Sequence, residues 1–152
     1  MRMLTCAVAL IVSASVLSGA NALEGKWKMS PQDSKYTAGG LPKEEDIVIA
    51  DKGNQLEVTI AGTDDDGKPI AISYMVPVKG GGGKMQQGGS YDAVSAKRVD
   101  DRTRDTTFSK GGEAVMVEHM VVSNDGKTMT VKLKGVDAEG KPVEGVVVLE
   151  KQ

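Results

Sequence analysis

The chain has 152 residues, 19 basic against 21 acidic side chains, a net charge of −2 and one cysteine, Cys6. That balance gives no electrostatic case for nucleic acid, and a single thiol excludes an internal disulfide and a thiolate metal site.

The first 22 residues read as an export signal. Arg2 precedes an apolar stretch from Leu4 to Leu17, and Ala20-Asn21-Ala22 supplies small residues around a cleavage point after Ala22. The apolar stretch is shorter than the roughly 20 residues a membrane-spanning helix needs, so no stable membrane span is expected after cleavage. No cysteine stands at the end of Leu17-Ser18-Gly19-Ala20, where lipidation would require one. The mature chain is then residues 23–152, a single domain of 130 residues without thiols, expected in a periplasmic or secreted location.

Beyond Ala22 no stretch keeps a helical apolar period for three turns, whereas two-residue alternation recurs between Gly, Asp, Asn and Pro clusters. Nine strands are expected: 24–29, 45–51, 55–63, 69–78, 91–99, 103–110, 114–123, 127–136 and 143–151. In the third, Leu56, Val58 and Ile60 form one face and Glu57 and Thr59 the other; in the eighth, Met129, Val131 and Leu133 oppose Thr130, Lys132 and Lys134. One face of each strand is buried. The links 51–54, 110–112 and 124–126 are rich in Gly and Asn, which accept the positive φ of tight hairpins.

A shift of 73 residues lays 48–70 over 121–143 without a gap, matching Val48, Gly53, Val58, Gly62, Asp64, Gly67, Lys68 and Pro69 to their counterparts. Hairpins in series with a repeated three-strand unit predict an all-β fold, an antiparallel up-and-down β-barrel of about 8–10 strands, in preference to a sandwich. Closure removes the two exposed edges that an open meander would carry.

Several short features invite chemical readings that their spacing does not support. Asp64-Asp65-Asp66-Gly67 lacks the alternating ligands and closing Glu of a calcium loop, and reads as a hairpin turn. Gly80 to Gly83 before Lys84 lacks the spacing of a phosphate loop, and predicts a mobile loop over 79–90. His119 is the only histidine; it shares a strand face with Val115, Val117 and Val121, while Met116, Glu118 and Met120 occupy the other face. Both faces are similarly apolar, so the pattern leaves open which one points inward. Arg98, Arg102 and Arg104 interleave with Asp100, Asp101 and Asp105 as a self-neutralising hairpin. Arg98, inside a strand, is the one carried forward as a candidate for an acidic headgroup. No metal set, nucleophile triad or cofactor motif is assembled, and no enzyme activity is expected.

The opening Gly25-Lys26-Trp27-Lys28-Met29, with Asp33-Ser34-Lys35-Tyr36, the turn 62–69 and the closing Glu150-Lys151-Gln152, resembles secreted bacterial lipocalin-like proteins of the calycin superfamily. A more distant similarity is to the fatty-acid-binding proteins. The resemblance implies a cup-shaped barrel, with Trp27 packed across its closed end and an apolar ligand in its interior. It departs from the fatty-acid-binding pattern where an Arg-x-Tyr carboxylate anchor is expected, since Val147-x-Leu149 stands there.

Two functions follow as expectations. One is a noncatalytic binder of a small apolar or amphipathic molecule, with Tyr74, Arg98, Met129, Val131 and Leu133 as candidate ligand residues and Leu56, Val58, Ile60 and Ile72 completing the lining. The other is a filled barrel serving as an envelope structural or protein-interaction module, since barrels of this strand number can be filled by side chains alone.

Overall fold

A computed structural model describes residues 21–152. The export segment expected over 1–22, with Cys6, therefore lies outside the described residues except for Asn21 and Ala22. The described residues form twelve strands: β1 (Gly25–Met29), β2 (Lys35–Ala38), β3 (Glu44–Asp51), β4 (Gln55–Thr63), β5 (Pro69–Pro77), β6 (Gly81–Gly82), β7 (Lys84–Gln87), β8 (Ala93–Asp100), β9 (Thr103–Lys110), β10 (Glu113–Val122), β11 (Thr128–Val136) and β12 (Pro142–Lys151). Every ladder is antiparallel, and the sheet runs β6-β8-β9-β10-β11-β12-β1-β3-β4-β5-β7. No helix among the described residues is long and apolar enough to cross a membrane.

Two pairs of short strands are halves of interrupted staves, which brings the barrel to ten staves. β1 and β2 follow one another along the same edge of β12, with Leu149–Lys151 pairing β1 and Glu144–Val146 pairing β2. The chain swings out between them and is tied back by Ser34, whose hydroxyl donates to the Ser30 carbonyl at 2.8 Å and accepts from the Val148 N–H at 2.9 Å.

The other broken stave corrects the sequence expectation for 79–90. This stretch is not a mobile loop but the seam that closes the barrel: Gly81 and Gly82 pair with β8, while Lys84, Met85 and Gln87 pair with β5. At the crossover the Gly83 N–H donates to the Val94 carbonyl at 2.8 Å. A Cβ at Gly83 would collide with the Met75 carbonyl oxygen and the Val76 side chain, so the seam requires a residue without one.

Alternation produces the core as expected. Leu56, Val58 and Ile60 on β4, Met129 and Val131 on β11, and Val147 and Leu149 on β12 all point inward and are buried. The open question on β10 is settled in favour of Met116, Glu118, Met120 and Val122 as the inward row; Val117 and Val121 face solvent.

The 73-residue repeat is a structural repeat, with β3-β4-β5 mirrored by β10-β11-β12 in the same pairing order. Both copies place a left-handed glycine at the second turn, Gly67 at φ 86° and Gly140 at φ 87°. In each, the leading aspartate carboxylate caps the turn, Asp64 accepting from Lys68 N–H at 2.8 Å and Asp137 from Lys141 N–H at 2.9 Å.

Candidate functional site

The interior divides into a packed half and an open half. At the packed end Trp27 is fully buried; its indole N–H donates to the Leu23 carbonyl at 2.9 Å, and the Lys151 ammonium lies over the ring at 5.4 Å from its centre. Ile49, Leu56, Val76, Val122, Met129 and Leu149 fill the same end. Arg104 is also buried here, its guanidinium donating to the Pro77 and Val78 carbonyls at 3.1 and 2.7 Å. Those bonds use two carbonyls at the end of β5, which is how a charged group is held in an otherwise apolar layer.

At the middle of the barrel an aromatic layer separates the halves. Tyr91 stacks on Phe108 with 4.7 Å between ring centres, and Phe108 meets Tyr74 edge-on at 5.2 Å. The Tyr91 hydroxyl donates to the Val136 carbonyl at 2.7 Å, fixing that ring against the wall.

Toward the other end lies a cavity of about 340 Å³. Ile60, Ile70, Ile72, Val131, Leu133 and Val143 give it an apolar wall, and Tyr36 and Tyr91 contribute aromatic surface. The turns 64–68 and 137–141 form its rim. On one side the wall is incomplete: β1 pairs β3 only as far as Asp46, and β2 pairs β12 alone, so Glu44 and Glu45 have no ladder partner on that side among the described residues.

Two carboxyl groups reach inward at this end, Glu45 on β3 and Glu118 on β10. They are counterparts in the repeat, 73 residues apart. Burial raises both above the ordinary carboxylate range, Glu45 to about 7 with help from Asp46, and Glu118 to about 8 with help from Glu45. The Oε2 of Glu118 has no hydrogen-bond partner. Burial, with the charges of Glu45, Glu118 and Asp137, also pushes the Tyr36 hydroxyl well above its usual value. The side chains lining the cavity thus include six carboxylates, Glu45, Asp64, Asp65, Glu118, Asp137 and Glu139, and no lysine, arginine or histidine.

The residues expected from the sequence to meet a ligand separate accordingly. Val131 and Leu133 line the cavity. Tyr74 lies beneath it in the aromatic layer, and Met129 is fully buried in the packed half. Arg98 stands across the β8–β9 ladder from Arg104 but at the packed end, outside the cavity, where it is exposed and paired with Asp101. Its strand position suggested an inward side chain, but the ladder is irregular just beyond it, between Arg98 and Asp100, and the barrel ends there. The arginine held inside is Arg104.

Sequence reasoning left Glu118 on a face of undecided direction and did not single out Glu45, Tyr36 or Tyr91 as site residues. Continuing the repeat three residues upstream of Val48 would have paired the two glutamates.

Other clusters are occupied or external. The carboxylates of Asp64, Asp65 and Asp66 lie within 4.8 Å of one another, but Asp64 caps its turn and Asp66 binds the Lys141 ammonium at 2.6 Å. His119 lies on the outer face of β10, its ring against the Asp105 carboxylate. It borders an open surface groove of about 620 Å³ that also includes Val117, Lys132 and Lys134. That groove is larger than the cavity, but it lies on the outer face of the sheet and collects no buried polar group, so the interior cavity is the stronger site.

No family model matches the chain, and no curated protein matches it. Among solved structures it is similar to EF1p2_mFAP2b bound to DFHBI, at 12% identity and a TM-score of 0.49, over 86% of this chain and 94% of that one. It is also similar to a redesigned β-barrel, mFAP1, bound to DFHBI, at 12% identity and a TM-score of 0.45, over 86% and 95% of the two chains. At TM-scores below 0.5 these likenesses bear on neither ligand nor activity.

Proposed function

We propose that this protein is an exported, noncatalytic, lipocalin-like carrier that holds one small amphipathic molecule in the open half of its barrel. The observation that carries this reading is the cavity: an apolar wall with two inward carboxyls, above a floor of stacked aromatics. Filling it would remove apolar surface from water, worth about 25 cal/mol per Å², offset by the cost of immobilising the ligand. The incomplete wall between β2 and β3 supplies a route of entry. Export is supported by the reading of residues 1–22, and kinship with the calycins by Trp27, buried across the packed end.

A competing reading, a barrel that acts through its surface, draws on Val117 and Val121, exposed on the same face of β10. Native mass spectrometry of protein taken from the export compartment of the producing cell separates the two. A co-purifying small molecule, released on unfolding and absent after Ile72→Trp fills the cavity, is the expected result. Protein that is consistently empty and excludes hydrophobic dyes from its interior would transfer the case to the surface.

A further inference from the structure

The cavity combines an apolar wall with a one-sided charge, and that combination restricts its occupant. This inference rests on the carrier reading and deepens it. Glu45 and Glu118 project into the barrel from β3 and β10, and Asp64, Asp65, Asp137 and Glu139 close the rim around them. The nearby lysines are not among the lining residues: Lys141 is paired with Asp66 and Glu139, and Lys43 and Lys68 act on Asp66. Buried carboxyls elsewhere in proteins are matched by a cation or by hydrogen-bond donors. Here Glu118 lines the cavity, and its Oε2 is enclosed by the protein without a hydrogen-bond partner. The tyrosines Tyr36 and Tyr91 add aromatic surface, which attracts cations. A fatty acid carboxylate would meet carboxyl groups and no cation among the residues lining the cavity.

We propose that the ligand is a cationic amphiphile, a small amine whose ammonium group meets Glu45 and Glu118 and whose apolar part lies against Ile60, Ile72, Val131 and Leu133. The ammonium supplies the partner that Glu118 lacks, and its charge is matched by the glutamate pair. The hydrocarbon part makes the contacts that the apolar wall offers. Because both glutamates are protonated in part near neutral pH, binding a cation releases protons, and affinity rises as the pair ionises. The titratable groups around this pair are Tyr36 from β2, Asp46 beside Glu45 on β3, Tyr74 from β5, Tyr91 ahead of β8, and the rim carboxylates Asp64, Asp65, Asp137 and Glu139.

The test is calorimetric titration of the whole soluble protein with octylammonium, octanol, octanoate and spermidine at pH 6.5 and 8.5. Octylammonium is expected to bind at least tenfold more tightly than octanol, to tighten severalfold at the higher pH, and to release protons. Octanoate is expected to bind most weakly. The Glu45→Gln/Glu118→Gln double variant should lose the preference for the amine over octanol, with a circular dichroism spectrum matching the parent's showing the barrel intact. If octanol binds and octylammonium gains nothing over it, the cationic assignment fails and the carrier reading stands. Tighter binding of spermidine than of octylammonium would place the attraction at the acidic rim rather than in the cavity, and would also overturn the assignment. Failure of all three octyl compounds would remove the carrier reading and this inference together.

Discussion

Trp27 shows how much one side chain can carry in a chain with five aromatic residues outside the export segment. It is fully buried, its N–H is bonded to Leu23, and Lys151 from the last strand covers its ring, so it joins the two ends of the barrel sequence. Trp27→Phe keeps a ring but loses the hydrogen bond and part of the volume, and is expected to cost about 1–2 kcal/mol. Trp27→Ala leaves a cavity and is expected to cost about 3–5 kcal/mol. Urea unfolding followed by circular dichroism measures both. Because Trp27 lies at the end opposite the cavity, Trp27→Phe should leave octyl-ligand affinity unchanged; a severalfold loss would contradict the division into packed and open halves. Arg104 teaches the complementary lesson. Three arginines stood among three aspartates, and only the position of the barrel's end, a long-range property, decided that Arg104 is enclosed while Arg98 pairs with Asp101 in solvent.

At the scale of elements, two-residue alternation made most of the barrel readable, because each strand faces water on one side and the core on the other. The strand β4 was expected over 55–63 and occupies those residues, and the repeat located the matching turns at Gly67 and Gly140. What alternation missed were the short strands held by neighbours rather than by their own pattern. β2 has no apolar period and exists because it extends the β1 edge of β12, and β6 is two glycines bonded to β8. The glycine run reads locally as flexibility, yet its use is close approach across the seam. Gly83→Ala is therefore expected to destabilise the protein by about 2 kcal/mol or more, through collision with the Met75 carbonyl and neighbouring Val76. Hydrogen exchange should quicken first at the amides of β5 and β7, which the seam joins. Gly82→Ala serves as the control, since nothing lies within 4 Å of the added methyl. If both variants melt alike, glycine's backbone entropy and not the seam's crowding would explain the run.

For the whole molecule, the glutamate pair links the site to the stability of the barrel. Against an ordinary value of 4.5, Glu45 is raised to about 7 and Glu118 to about 8, so the native barrel holds protons that the unfolded chain gives up. Stability therefore falls with rising pH wherever the native state binds more protons than the unfolded one. The contribution is fully present below about pH 4.5 and is lost as pH climbs through 7 and 8. The lowered carboxylates Asp66, Asp100 and Asp125 act in the opposite sense, but only as pH falls through the acid range. The raised tyrosines Tyr36, Tyr74 and Tyr91 respond only in strong alkali. Thermal melts from pH 5 to pH 9 should show a midpoint that drops as pH rises, and the difference between the parent and a glutamine double variant isolates the glutamates. One pKa unit corresponds to about 1.4 kcal/mol, and water entering the cavity reduces the effect, so a loss on the order of 2 kcal/mol is expected. Glu45→Gln/Glu118→Gln removes both protons from the balance and should flatten the slope while raising stability at pH 9. A slope unchanged in the double variant would mean that the inward carboxyls are well solvated, and that the charge at the open end of the barrel costs the fold nothing.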